Sequence, residues 1–171
     1  MKKITILTGA RGQGKSSFLL DKFEGKPGVA GILSLRREND RRYFHKLSTG
    51  EEWPMDGLPG DEGPWLEVGR FRFSASAFQR ASAYFPVAAI MEGAGLFIAD
   101  EAGPLELRGE GFFQMLKILI SLRPGPDLLI VVREELVAEM KLALGIPDAE
   151  VFTPENFPAD FSWSSGPESA G

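Results

Sequence analysis

Residues Gly9-Ala10-Arg11-Gly12-Gln13-Gly14-Lys15-Ser16 fit the pattern G-x-x-x-x-G-K-S/T, whose chemistry is phosphate capture. The backbone N–H groups of such a loop converge on phosphate oxygens, and the positive end of the following helix lies beneath them. Gly9, Gly12 and Gly14 permit backbone angles and a close approach that a Cβ would obstruct. Lys15 has the reach to meet the β- and γ-phosphates of a nucleotide, and the Ser16 hydroxyl can ligate Mg²⁺. The run from Gly9 to Ser17 is therefore the expected nucleotide-binding segment.

A second group of chemical residues follows Leu96-Phe97-Ile98-Ala99, which ends abruptly in Asp100-Glu101. An aspartate closing a buried strand is placed to hold Mg²⁺, directly or through water. A glutamate directly after it is placed to polarise an attacking water as general base, a contribution of about 10²–10⁴ in rate. A phosphotransferase must exclude water, so the pair favours hydrolysis. Arg133, just past Leu128–Val132, reads either as a cation stabilising charge on the γ-phosphate or as a solvated strand end. In the arginine-rich run Arg36–Arg42, most side chains are expected in solvent, with one functional. His45, Trp53 and Trp65 read as packing residues. No N/T-K-x-D guanine reader is present, so the phosphates rather than the base are the main handle. The expected ligands are ATP, GTP and other nucleoside triphosphates with weak base selectivity.

These residues need elements to hold them. Ile4-Thr5-Ile6-Leu7 is a β-branched apolar strand before the loop, and Ser16–Phe23 a helix stopped by Gly25 and Pro27. Further strands are expected at 29–33, 43–47, 96–99, 128–132 and 151–153. Apolar residues at i, i+3, i+4, i+7 and i+8 from Phe112 give the clearest helix, and a second starts at Glu134-Glu135 and runs to Leu144. Ser74 is a candidate N-cap for a helix broken near Pro86. Residues 50–64, rich in glycine, proline and acids, read as a mobile hairpin connection. The segment 65–73 reads as one strand with a bulge at Gly69. Alternating strands and helices predict a three-layer α/β/α domain over residues 1–161, with a mostly parallel sheet, an added β-hairpin and a flexible tail at 162–171. Ligands of such sheets lie outside the carboxyl ends of the strands. The glycine-rich loop, Asp100-Glu101 and Arg133 all fall at such ends.

Composition narrows the chemistry. The 171 residues include no cysteine and one histidine, which excludes thiolate and multi-histidine metal sites. Any metal is then expected to be a hard cation held by oxygens, here Mg²⁺. The formal net charge of −5 argues against nonspecific nucleic-acid binding. No apolar run reaches about 18 residues, so no membrane span is expected, and a strand starting within a few residues of Met1 leaves no room for a signal peptide. A cytoplasmic enzyme is the resulting expectation.

Taken together, the blocks resemble the cancer-related nucleoside-triphosphatase family. The resemblance rests on Gly9–Ser16, on Asp100-Glu101-Ala102-Gly103-Pro104-Leu105-Glu106-Leu107, and on Phe112 or Phe113 soon after. The arginine run before Tyr43-Phe44 and Thr153-Pro154-Glu155-Asn156 support it. It implies a RecA-like P-loop NTPase core and slow Mg²⁺-dependent hydrolysis of several triphosphates. By position it implies that Lys15 binds phosphate, Ser16 and Asp100 serve the metal, and Glu101 is the base. Glu106 falls on a family glutamate whose role does not follow from sequence. Departures are Ala102 for the usual isoleucine, Phe157 for an arginine, and Arg11 for a common proline. Two other readings stand beside hydrolysis: a nucleotide-timed switch that engages a protein partner, and a small-metabolite or nucleoside kinase.

Overall fold

A computed structural model describes residues 2–12 and 14–164. Gln13, one of the expected phosphate-binding residues, and 165–171 of the expected tail lie outside the described residues.

Seven strands form the main sheet: β1 Ile4–Leu7, β2 Val29–Arg36, β3 Arg42–Lys46, β4 Glu52–Pro54, β7 Leu96–Ala99, β8 Asp127–Val131 and β9 Glu150–Phe152, in the order β4-β3-β2-β7-β8-β1-β9. The five strands from β2 to β9 run parallel, and β3 and β4 extend the sheet antiparallel. Strands β1, β7 and β8 are buried or nearly so along their length, as parallel strands covered on both faces must be.

Helix α1 Lys15–Phe23 packs Leu19 and Phe23 on one face of the sheet, against Leu7, Leu33, Leu129 and Val131. Helices α2 Ala75–Pro86, α4 Phe113–Ser121 and α5 Val137–Leu144 cover the other face, with Phe78, Phe85, Leu116 and Met140 buried there. The architecture is three-layered α/β/α with a mostly parallel sheet and an added hairpin, as the alternating pattern predicts. Ser74 caps α2 by accepting from the Ala77 N–H. At Pro86, which has no N–H to donate, the α-helix gives way to a π-turn over Val87–Met91.

Three local expectations need correction. Residues 50–64 are not one loose connection, because β4 lies within them and pairs with β3. Trp53 and Met55 are buried, and Trp53 Nε1 donates to the Ala77 carbonyl at 3.0 Å. Tertiary burial of two large side chains overrides the surrounding turn composition.

The segment 65–73 is a hairpin, β5 Trp65–Val68 and β6 Phe71–Ser74, and Gly69 at φ +57 forms its turn rather than a bulge. Antiparallel partners share a face, so the pairs Leu66↔Phe73 and Val68↔Phe71 bring together residues that fall out of phase along a single strand. Beyond the predicted start of the tail, Trp163 packs edge-on against Phe23, with ring centroids 5.9 Å apart. Ser164 donates to Asp127 through both N–H and hydroxyl at 2.9 Å. The packed body thus continues through residue 164.

Gly31 sets how closely β2 and β7 approach. A Cβ built there would lie 2.4 Å from the Ile98 carbonyl oxygen of the paired strand. Backbone cannot yield as a flexible side chain can. Gly31→Ala is expected to destabilise the fold by about 1–3 kcal/mol in urea unfolding. A change within about 0.5 kcal/mol, the level of a neutral surface substitution, would mean the strands separate at no cost.

Candidate functional site

The glycine-rich loop joins β1 to α1 at the carboxyl edge of the sheet. Gly14 caps α1 in the left-handed region, at φ 70 and ψ 30, a conformation for which glycine is suited. The first N–H groups of α1 have no helical acceptors and point into the space above the loop, a ready site for an anion. Lys15 folds back over the loop, its Nζ donating to the carbonyls of Gly9 at 3.1 Å and Ala10 at 3.0 Å. Arg11, Gly12, Gly14, Lys15, Ser16 and Ser17 line a cavity of about 910 Å³. Gly9 and Ala10 lie behind that surface, under the lysine.

Two strands along the sheet, Asp100 directly follows β7, with 3 % of its surface exposed. Its Oδ2 accepts from Ser16 Oγ at 2.5 Å and from the Ser34 N–H at 3.0 Å. Its Oδ1 is buried with no partner among the described residues. Burial and the neighbouring Glu101 charge push its carboxyl up to about 7, against the opposing pull of Ser16, the Ser34 N–H and Lys15.

Glu101 adopts φ +57, one of two non-glycine residues with positive φ among those described. Such a backbone costs of order 1–3 kcal/mol and persists only where its surroundings enforce it. Arg42 Nη1 donates to Glu101 Oε2 at 2.6 Å. Glu101 and Arg133 both line the cavity, and Arg133 has no ion-pair partner among the described residues.

The structure therefore brings Lys15, Ser16, Asp100, Glu101 and Arg133 to one cavity. It also sorts the arginine run. Arg36 pairs with Asp40 at 3.4 Å, Arg37 with the half-buried Glu52, and Arg41 with Asp56 at 2.9 Å; the first and last are exposed pairs, which contribute little. Arg42 alone reaches Glu101. Arg42 shares a phase with Phe44, and both line the cavity, as do Arg36 and Arg37. His45, in the opposite phase, is buried away from the cavity, with Nδ1 2.6 Å from Glu52 Oε2 and its pKa held below the ordinary value by desolvation. Trp53, read from sequence as core or loop packing, is core.

Glu106, whose role sequence leaves open, is a structural carboxylate. It lies in a short helix, α3 Pro104–Leu107, and is 2 % exposed. Oε1 accepts from the Gly103 N–H at 2.8 Å and Oε2 from the Phe112 N–H at 2.9 Å. It ties the segment after Glu101 to the start of α4. At the far end, Asn156 Oδ1 accepts from the Thr153 N–H at 2.6 Å, and Phe157 packs edge-on to Phe18, with centroids 5.4 Å apart. Phe157 is thus a contact behind the phosphate-binding helix.

A glycine-rich strand–loop–helix facing a buried strand-end acid, on a mostly parallel three-layer sheet, defines a P-loop NTPase fold. The structure is similar to the crystal structure of THEP1 from the hyperthermophile Aquifex aeolicus. The TM-score is 0.63 with 17 % sequence identity, over 90 % of this chain and 91 % of that one. At that identity the likeness establishes the shared fold. No protein-family model and no curated protein matches the sequence. Among the described residues no helix is long and apolar enough to cross a membrane.

Burial pushes the Glu106 carboxyl up to about 7 despite its N–H partners. The folded state then holds a proton that the unfolded chain, with a carboxyl near 4.5, has released. The contribution of Glu106 to stability is full below about 4.5 and falls as pH rises to about 7. Glu106→Gln places an amide NH₂ against one of two N–H donors, a loss of about 1–3 kcal/mol. Urea unfolding of both proteins from pH 4.5 to 8 is expected to show the wild-type advantage shrinking with rising pH. A pH-independent difference would show that Glu106 folds already ionised.

Proposed function

We propose that this protein hydrolyses nucleoside 5′-triphosphates, ATP and GTP among them, to the diphosphate and phosphate by attack of water on the γ-phosphate. The observation that carries the reading is the 2.5 Å contact of Ser16 Oγ with Asp100 Oδ2, with Glu101 the next residue in the same cavity. Phosphate-binding loop, metal-suited oxygens and a carboxylate for water thus stand side by side.

The oxygens at Asp100 fit a hard divalent cation. Oδ1 is buried and unpartnered, and Oδ2 lies beside a hydroxyl. Among the described residues no cluster of three acids or histidines could hold a metal without further help. That suits Mg²⁺, which takes one or two protein oxygens and fills its shell with water and substrate phosphates. Ser16 and Asp100 would hold it, and when bound it neutralises charge on the transferred phosphoryl group.

The chain's own groups do the rest. Lys15 exchanges its hold on the Gly9 and Ala10 carbonyls for the β- and γ-phosphates, while the loop N–H groups and the α1 dipole bind phosphate oxygens. Glu101 accepts a proton from water as the water oxygen bonds to Pγ. The bond from Pγ to the bridging oxygen breaks, and the diphosphate leaves with that oxygen. Arg133 stabilises charge developing on the γ-phosphate. These contacts are to phosphate, which supports weak selectivity among bases. The blocks shared with the cancer-related nucleoside-triphosphatase family support placing the chain there.

Phosphate release from ATP, GTP, CTP and UTP with Mg²⁺ is expected for the wild type. Glu101→Gln should lose about 10²-fold or more in kcat while keeping its affinity for triphosphate. Turnover near wild type would remove Glu101 from the role of base. Lys15→Ala should weaken triphosphate binding about tenfold or more, as loss of a charge-assisted contact does. Unchanged affinity would contradict the phosphate-binding assignment.

A further inference from the structure

Arg36, Arg37 and Arg42 of the 36–42 run line the cavity, and Arg42 is the one whose guanidinium reaches Glu101. Its backbone is fixed on both sides: β3 pairs with β2 at Arg36↔Arg42, and the Arg42 carbonyl accepts from the Met55 N–H at 3.0 Å. Its side chain retains 18 % exposure and uses one nitrogen, Nη1, on Glu101. The other guanidinium donors have no partner among the described residues. A guanidinium offers five N–H donors in a planar fork that fits phosphate as well as carboxylate. Lys15, Ser16, Asp100 and Glu101 line the same cavity.

Two charged groups therefore compete for this arginine. The Glu101 carboxylate engages it through Oε2 at 2.6 Å. The guanidinium occupies one of the two carboxylate oxygens that can take a proton from water and fixes the orientation of the group. A terminal phosphate in the cavity carries more charge than one carboxylate and attracts the guanidinium more strongly at equal distance. The partner exchange requires only side-chain rotation, because the strand holding Arg42 is paired on both edges.

We propose that Arg42 is a γ-phosphate sensor: its guanidinium leaves Glu101 for the γ-phosphate when a triphosphate binds, freeing the carboxylate for water only in that complex. This rests on the hydrolase reading above. A diphosphate presents no γ-phosphate, so Arg42 stays on Glu101. Once phosphate departs, the pair closes again and the base is masked. The same residue thus contributes triphosphate-over-diphosphate discrimination and contacts the reacting phosphate.

The test is the ratio of affinities for Mg²⁺-AMP-PNP and Mg²⁺-ADP by titration calorimetry, with kcat for ATP, on the wild type, Arg42→Ala and Arg42→Lys. Arg42→Ala is expected to lose about tenfold or more in AMP-PNP affinity. Its ADP affinity is expected to stay within about threefold of wild type, and kcat to fall about 10²-fold or more. Arg42→Lys, which keeps the charge without the fork, should recover part of both losses.

Equal losses toward AMP-PNP and ADP would overturn the proposal in favour of a structural ion pair. A lower kcat with an unchanged affinity ratio would overturn it in favour of a fixed support for Glu101. Thermal melts check that each variant is folded, and Arg42→Lys carries the ratio test if Arg42→Ala is not. Absence of phosphate release by the wild type would defeat the hydrolase reading, whereas a wild-type enzyme with an Arg42→Ala ratio unchanged would defeat only the sensor.

Discussion

One carboxylate holds the cavity together. Asp100 Oδ2 takes a hydrogen bond from the Ser16 hydroxyl at the first turn of α1 and another from the Ser34 N–H of β2. It thereby joins three elements far apart in sequence, at the edge where the sheet opens. The aspartate is nearly fully buried, and a buried carboxylate is tolerated only when its oxygens are satisfied. One oxygen is satisfied and the other is not, which leaves a local electrostatic debt that a cation could settle. Moving β7 by one residue would shift Asp100 off both donors and rotate its side chain to the opposite face. Register between β2 and β7, with Gly31 packed on Ile98, is therefore a condition on chemistry as much as on folding.

The phosphate end and the acid end were legible in the sequence because each follows a local rule. A glycine-rich loop between an apolar strand and a helix needs no long-range information, and an apolar run ending in Asp100-Glu101 is a strand end wherever it packs. The helix from Phe113 to Ser121 likewise declares itself by spacing. What escaped were features made by pairing across the chain. The inward turn of β4 depends on Trp53 finding the Ala77 carbonyl, 24 residues on. The hairpin at 65–74 hides in one-dimensional alternation, since its two strands are opposite in phase until Gly69 folds them together.

The site was partly legible for the same reason. Lys15, Ser16, Asp100 and Glu101 sit in recognisable strings. Arg42 does not, because nothing local separates it from Arg36, Arg37 or Arg41; only the folded sheet brings its guanidinium to Glu101. Glu106 is similar. Its glutamate stands in a suggestive block, but its work is to receive N–H groups from Gly103 and Phe112, a partnership that needs both turns formed. Charge at a strand or helix end can be read from sequence, whereas the choice among neighbouring charges is made by the fold.

The aromatic strap formed by Phe157, Phe161 and Trp163 lies on Phe23, behind the helix that bears Lys15 and Ser16. On a ribosome the glycine-rich loop is made more than 130 residues before its backing. Strand β1 itself is completed only when β8 and β9 flank it. A nascent chain thus carries the phosphate-binding string long before it carries a rigid phosphate-binding site. Nucleotide capture is in this way deferred to the finished molecule, and a truncated product lacking the strap would display the motif without its support.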